Sequence, residues 1–141
     1  MNSTNIEKSI FINASPEDVW PFLVEKDKLA EWYHPAEEDL KPDSDYILLA
    51  RDNGGNLRPQ VWGRVLEWNK PSRLCTTFSI SPFSGNETIV TWILEPAAGG
   101  TRVSVKHSGI YEASGSEAMR MLQALDAGWD QHLSSLRYSF E

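Results

Sequence analysis

The C-terminal third of the chain constrains the fold most. After Gly99-Gly100, residues Thr101 to Ile110 alternate between apolar and polar side chains, the period of a strand. A long segment follows in which Ala118, Leu122, Leu125, Trp129, Leu133, Leu136 and Phe140 fall on one stripe at about 100° per residue. A strand that feeds one long closing helix obliges that helix to bury its stripe on a sheet built by the preceding residues. Ser114-Gly115-Ser116-Glu117 has capping-box spacing, which predicts a helix start at Ser114. Gly128 lies at the edge of the stripe, where a missing side chain is expected to allow close backbone approach, at a helix-propensity cost of about 1 kcal/mol. Met121 and His132 share that edge, and Asp126 lies on the other.

The remainder reads as the material for that sheet. Ile6, Ser9 and Phe11 interleave with Glu7, Lys8 and Ile10 in a first strand over residues 5–12. Ser15-Pro16-Glu17-Asp18 then opens a helix: Ser15 can accept from a first-turn amide, Pro16 has no amide to leave unpaired, and the two acids suit the positive end of the dipole. Val19, Trp20, Leu23 and Val24 form its apolar face. Asp27 is expected to cap a second short helix carrying Leu29, Ala30 and Trp32, which stops before Pro35. Beyond residue 45 the period is two, with strands expected over 46–51, 61–68, 74–80, 88–95 and 101–110. Turn clusters rich in Gly, Asn, Asp, Pro and Ser separate them, so the strands form an antiparallel meander. Leu74/Thr76/Phe78/Ile80, Val90/Trp92/Leu94 and Val103/Val105/His107 are the inward faces. The strand over 61–68 has Trp62, Leu66 and Trp68 on one side and Val61 and Val65 on the other, leaving its inward face open and a bulge near Gly63 expected.

At 141 residues the chain is expected to form one domain over 1–141, long enough to bury roughly 70% of its unfolded surface without metal or disulfide. Cys75 is the one cysteine, and neither a leader nor an apolar membrane-spanning run is evident, so a cytoplasmic location is expected. Without export, triplets such as Asn2-Ser3-Thr4 are chance glycosylation matches. A net charge of −7 with no cluster of Lys and Arg opposes nucleic-acid binding.

Among candidate chemical groups, the six tryptophans stand out. Trp20, Trp92 and Trp129 read as core, whereas Trp32 and Tyr33, beside Pro35, are expected to border an opening where a planar ligand enters. His107 and His132 are placed to approach each other inside, as satisfied core groups or as a base, an acid or a hydrogen-bond anchor. Three scattered histidines and one cysteine have no metal-ligand spacing, and no cofactor motif is present. Cys75 and Ser108 lack the surroundings of a nucleophile, and Gly54-Gly55 and Gly99-Gly100 read as hairpin turns.

The order of Ser15-Pro16-Glu17-Asp18-Val19-Trp20, Trp32-Tyr33, Gly63-Arg64-Val65-Leu66-Glu67-Trp68, Val90-Thr91-Trp92, Leu94-Glu95-Pro96, Gly100-Thr101-Arg102, His107-Ser108-Gly109 and Gly128-Trp129 resembles the START-related, helix-grip (SRPBCC, Bet v-like) superfamily. Within it the chain is most similar to homologues of the heat-shock chaperone ATPase activator, the AHSA type. The resemblance implies an α+β fold: a curved antiparallel sheet of six or seven strands around a long C-terminal helix, two short helices after the first strand, and an internal cavity. It implies binding of a small hydrophobic, aromatic or lipid-like molecule there, and Trp32, Tyr33, Phe78, Trp92, His107, Met121, Leu125 and His132 are the candidate lining. Two alternatives remain open: a cyclase- or hydrolase-like enzyme using His107, His132 or Asp126, and a protein-interaction module with a chaperone partner and a role in stress response. Many relatives carry Gly-Gly where this chain has Asp43-Ser44-Asp45, so a positive φ is expected to fall on an aspartate.

Overall fold

Alternating apolar positions oblige a sheet to bury one face, and four short turns oblige the strands they join to run antiparallel. The computed structural model of the chain describes residues 4–141, so Asn2 and Ser3 of the first triplet lie outside the described residues. Its strands are β1 (Ile6–Ile12), β2 (Asp45–Arg51), β3 (Leu57–Asn69), β4 (Arg73–Phe78), β5 (Thr88–Ala97) and β6 (Gly100–Ser108). They form one curved antiparallel sheet in the order β1-β6-β5-β4-β3-β2. Three short helices, α1 (Pro16–Val19), α2 (Pro21–Val24) and α3 (Lys26–Trp32), follow β1, and α4 (Ile110–Ser114) leads into the 21-residue α5 (Ala118–Tyr138). This is the helix-grip α+β fold.

Several local expectations are corrected. The helix at Ser15 does begin with Ser15 Oγ accepting from the Asp18 amide at 3.2 Å, but Pro21 divides it into α1 and α2. Asp27 does not cap α3; the Lys26 amide donates instead to Asp39 Oδ1 at 2.9 Å, from a loop thirteen residues on. In β1 the buried ends are Ile6 and Ile12, and Phe11 points outward at 64% exposure. At the other end of the sheet, β6 stops at Ser108 because Gly109 takes a φ of 90°, and Ile110 starts α4 rather than extending the strand. The capping box at Ser114 does not form: Gly115 adopts a φ of 56°, a 3₁₀ turn spans Gly115–Glu117, and the buried Ser114 hydroxyl has no partner among the described residues.

The ambiguous strand is resolved by two bulges that bracket Gly63 rather than one beside it. Against β4, Val65 pairs with Thr76 and Glu67 with Cys75, so Leu66 is an extra residue. The alternation therefore shifts: Val61 and Val65 face inward, Trp62 and Leu66 face out, and Trp68 returns inward to meet Trp20 edge-on at 5.3 Å. A second irregularity lies where Leu48 pairs with Val61 but Leu49 with Pro59. Between the bulges the Tyr46 hydroxyl donates to the Thr77 carbonyl at 2.6 Å, supplying a partner where the β3–β4 ladder is broken. A side chain at Gly63 would collide with that carbonyl and with the Tyr46 ring.

The β5–β6 turn centres on Ala98-Gly99, one residue before the glycine pair, with φ of 51° and 87°. Both central residues of such a two-residue hairpin are left-handed, which suits Asn or Gly and strains Ala. Asp43 likewise takes a φ of 55°, as expected for the aspartate that stands at the Gly-Gly position.

Helix α5 buries Ala118, Met121, Trp129, Leu133 and Leu136, with Leu122 and Leu125 partly covered, as is Phe140 just beyond its end. Trp129→Ala is expected to cost about 3–5 kcal/mol in urea denaturation, because it empties the middle of the grip. Gln123→Ala, on the exposed side of the same helix, is expected to stay within about 0.5 kcal/mol. Equal effects of the two would refute this helix orientation. Replacing Ala98 by Asn is expected to raise stability by about 1 kcal/mol, read in the same assay.

Candidate functional site

The polar connection between α5 and the sheet runs through Trp129, whose Nε1–H donates to His107 Nδ1 at 3.1 Å. An indole nitrogen only donates, so Nδ1 is the acceptor and the imidazole proton sits on Nε2. That Nε2–H donates to Thr88 Oγ1 at 2.7 Å, and the Thr88 hydroxyl donates to the Phe78 carbonyl at 2.8 Å. Every polar atom of the chain of bonds is used. Burial pushes the His107 imidazole down to about 4, which agrees with a neutral ring.

Aromatic rings fill the space between sheet and α5. Trp92 meets Trp129 edge-on at 5.5 Å and Trp32 at 5.7 Å, and Tyr33 stacks on Trp32 at 5.0 Å. What remains between them is a space of about 30 Å³ bordered by residues that include Trp32, Tyr33, Tyr46, Phe78, Trp92 and Trp129. That is room for about one water and for no ring-sized ligand. The expected internal cavity is therefore nearly closed by its own aromatic lining.

A second, larger cleft of about 110 Å³ shares Tyr33, Phe78 and Trp129 with the first as common walls. Leu125, Gly128 and His132 from α5, Gln60 and Val61 from β3, and His34 from the segment after α3 complete it. That segment is held to β2, since the Leu49 amide donates to the Pro35 carbonyl at 2.7 Å and the Glu37 amide to the Ile47 carbonyl at 3.0 Å. The imidazoles of His34 and His132 lie 5.3 Å apart between ring centroids, and each rests on the Tyr33 ring, at 4.7 and 4.6 Å. Burial and then the neighbouring His132 push His34 down to about 4. His132 is lowered by burial, against a hydrogen bond with the Trp32 backbone. Burial also holds the Tyr33 hydroxyl protonated.

The candidate lining is thus redistributed. Tyr33 and Phe78 border both spaces, Trp32 and Trp92 only the inner one, and Leu125 and His132 the outer one. His107 and Met121 border neither, because one is consumed in the relay and the other is buried on the helix face. His107 does not approach His132; the Trp129 ring stands between them, 5.9 and 6.2 Å away. Trp32 does not edge an opening: it is 4% exposed and donates Nε1–H to the Phe22 carbonyl at 2.7 Å. Asp126 lies away from both spaces, paired with Lys8 at 3.0 Å. Gly128 allows no close approach, since a Cβ there would meet nothing within 4 Å. Its missing side chain leaves the cleft open instead. His34 and Gln60 were not candidates; the one local signal for His34 is its place in Tyr33-His34-Pro35, where the chain turns from α3 toward β2.

The three histidines share one pH consequence. Their unfolded imidazoles protonate near 6.5, whereas the folded ones resist until lower pH, so the unfolded chain binds more protons between these limits and stability falls on acidification. For the fully buried His107 alone the expected loss between pH 7.5 and pH 5 is about 2 kcal/mol. Chemical denaturation at those two pH values measures it, and an unchanged midpoint would mean that His107 titrates freely in the folded protein.

Against known proteins the fold has many counterparts. A protein from Mesorhizobium loti, MLL2253, superposes with a TM-score of 0.78 at 20% identity over 95% of this chain and 94% of its own. The Aha1 dimer from Colwellia psychrerythraea gives 0.76 at 24% identity, covering 97% and 96%. CalU16 from Micromonospora echinospora gives 0.72 at 19% identity, covering 94% and 73%. No curated protein matches by sequence. No helix among the described residues is long and apolar enough to cross a membrane. The sequence model of one family matches residues 13–141, and the chain accordingly belongs to the family of activator of Hsp90 ATPase homolog 1-like proteins.

Proposed function

We propose that the protein binds a small, flat, largely apolar molecule in the cleft walled by Tyr33, Phe78 and Trp129. One observation carries the reading: Gly128 stands inside α5, at a helix-propensity cost of about 1 kcal/mol, where nothing requires its small size except the cleft itself. A residue that weakens its element without a packing reason is what a binding site asks of a helix. The walls are largely aromatic surfaces, and the polar side chains are few, as in small-molecule sites generally. An enzymatic reading is less well supported, since of its three candidate groups His107 and Asp126 are committed to other partners and only His132 borders the cleft.

Gly128→Leu separates binding from folding. It fills the cleft and replaces glycine with a strong helix former, so stability is expected to rise by about 0.5–1 kcal/mol while aromatic ligands lose about tenfold or more in affinity. Quenching of tryptophan fluorescence and thermal shift would measure the two effects. Unchanged affinity in Gly128→Leu would overturn the site. Failure of every aromatic compound to bind would favour the interaction-module reading, for which the exposed Trp62 and Leu66 on the outer sheet face are the observation.

A further inference from the structure

We infer that the cleft takes an aromatic carboxylic acid, whose carboxylate is received between His34 and His132 together with one proton from solvent. The inference rests on the aromatic-binding reading and adds the polar group of the ligand to it.

The two imidazoles sit side by side at the cleft, 5.3 Å apart, each half-buried and each against Tyr33. The groups facing them are uncharged from every side. Gln60 and Val61 come from β3, Phe78 from β4 with Ile80 just after it, and Leu125, Gly128 and Trp129 from α5. His107 of β6 lies behind Trp129 and is fully engaged, and Tyr46 of β2 lies beyond Tyr33 as a buried phenol. Among the described residues no Lys, Arg, Asp or Glu lines the cleft. A ligand charge placed there meets imidazoles and nothing else.

That setting discriminates among ligand classes. A cation finds no counter-charge. A neutral ring leaves the pair as it is, two bases kept unprotonated by burial, with His132 adding to the effect on His34. A carboxylate supplies the opposite charge that lets one imidazole protonate in place, giving a charge-assisted N⁺–H···O⁻ bond. His132, whose one N–H in the neutral ring is engaged by the Trp32 backbone, is the ring that protonates, and His34 stays neutral and donates its N–H to the other carboxylate oxygen. The balance is one anion and one proton bound, with no covalent bond made or broken.

The test uses the wild-type chain with 2-naphthoate and its neutral analogue 2-naphthamide, by isothermal titration calorimetry between pH 6 and pH 8 in buffers of different ionisation enthalpy. Naphthoate is expected to bind about tenfold more tightly for each pH unit lowered, with uptake of one proton, while naphthamide is flat across the range. His34→Gln and His132→Gln are expected to weaken naphthoate by about tenfold or more and to leave naphthamide within about twofold. The pH slope of the unaltered protein stands even where a variant folds poorly. Naphthamide binding as tightly as naphthoate, or naphthoate binding without proton uptake, would overturn the acid and leave the aromatic site standing. Neither compound binding, with the His34 and His132 imidazole resonances unmoved, would overturn both.

Discussion

A single polar thread, Trp129 to His107 to Thr88 to the Phe78 carbonyl, sets how α5 sits on the sheet. It crosses an otherwise apolar interior, where an unpaired indole N–H or imidazole would cost roughly 1–3 kcal/mol, so the helix cannot rotate without losing it. The alternative anchors are weaker. Lys8 pairs with Asp126 and Asp130 at 3.0 Å each, but both carboxylates are more than half exposed, and such pairs typically contribute no more than about 1 kcal/mol. Once Trp129 is fixed, Leu125, Gly128 and His132 are fixed with it, because they are its helical neighbours on the side of the cleft. The site is a consequence of the pin.

The same aromatic packing explains why the interior is nearly closed. Trp32, Trp92, Trp129 and Tyr33 meet edge-on, tilted or stacked at 5.0–5.7 Å, within the range that ring quadrupoles favour, and leave about 30 Å³. Around these rings the polar groups Trp32 Nε1, His107, Thr88 and the Tyr46 hydroxyl are already satisfied. What can still respond to a ligand is displaced to the outer end, where two half-buried imidazoles, a phenol and a glycine meet. This is also why the core histidine and the cleft histidines differ in use although all three are held below their ordinary range. His107 has no free nitrogen, whereas His34 and His132 border open space.

Strand and helix types were legible because they depend on local spacing. Alternation along residues 88–95 and 101–108 and the stripe from Ala118 to Phe140 follow from side-chain directions that each residue carries by itself. The family pattern was legible too, since it is an order of motifs along the chain. Ser15 and Asp43 also behaved as their chemistry required, one accepting from the Asp18 amide and the other entering the left-handed region.

The sequence by itself thus determined the helix-grip architecture, the inward faces of β4, β5 and β6, and the burial of Trp20, Trp92 and Trp129. Only the tertiary structure decided where the extra residue of β3 falls, which carbonyl Trp32 bonds, that Asp39 rather than Asp27 caps α3, and that His132 meets His34 instead of His107. The reason is common to all four. Each depends on groups brought together across different elements, and periodicity records which face a side chain takes but not which partner waits there.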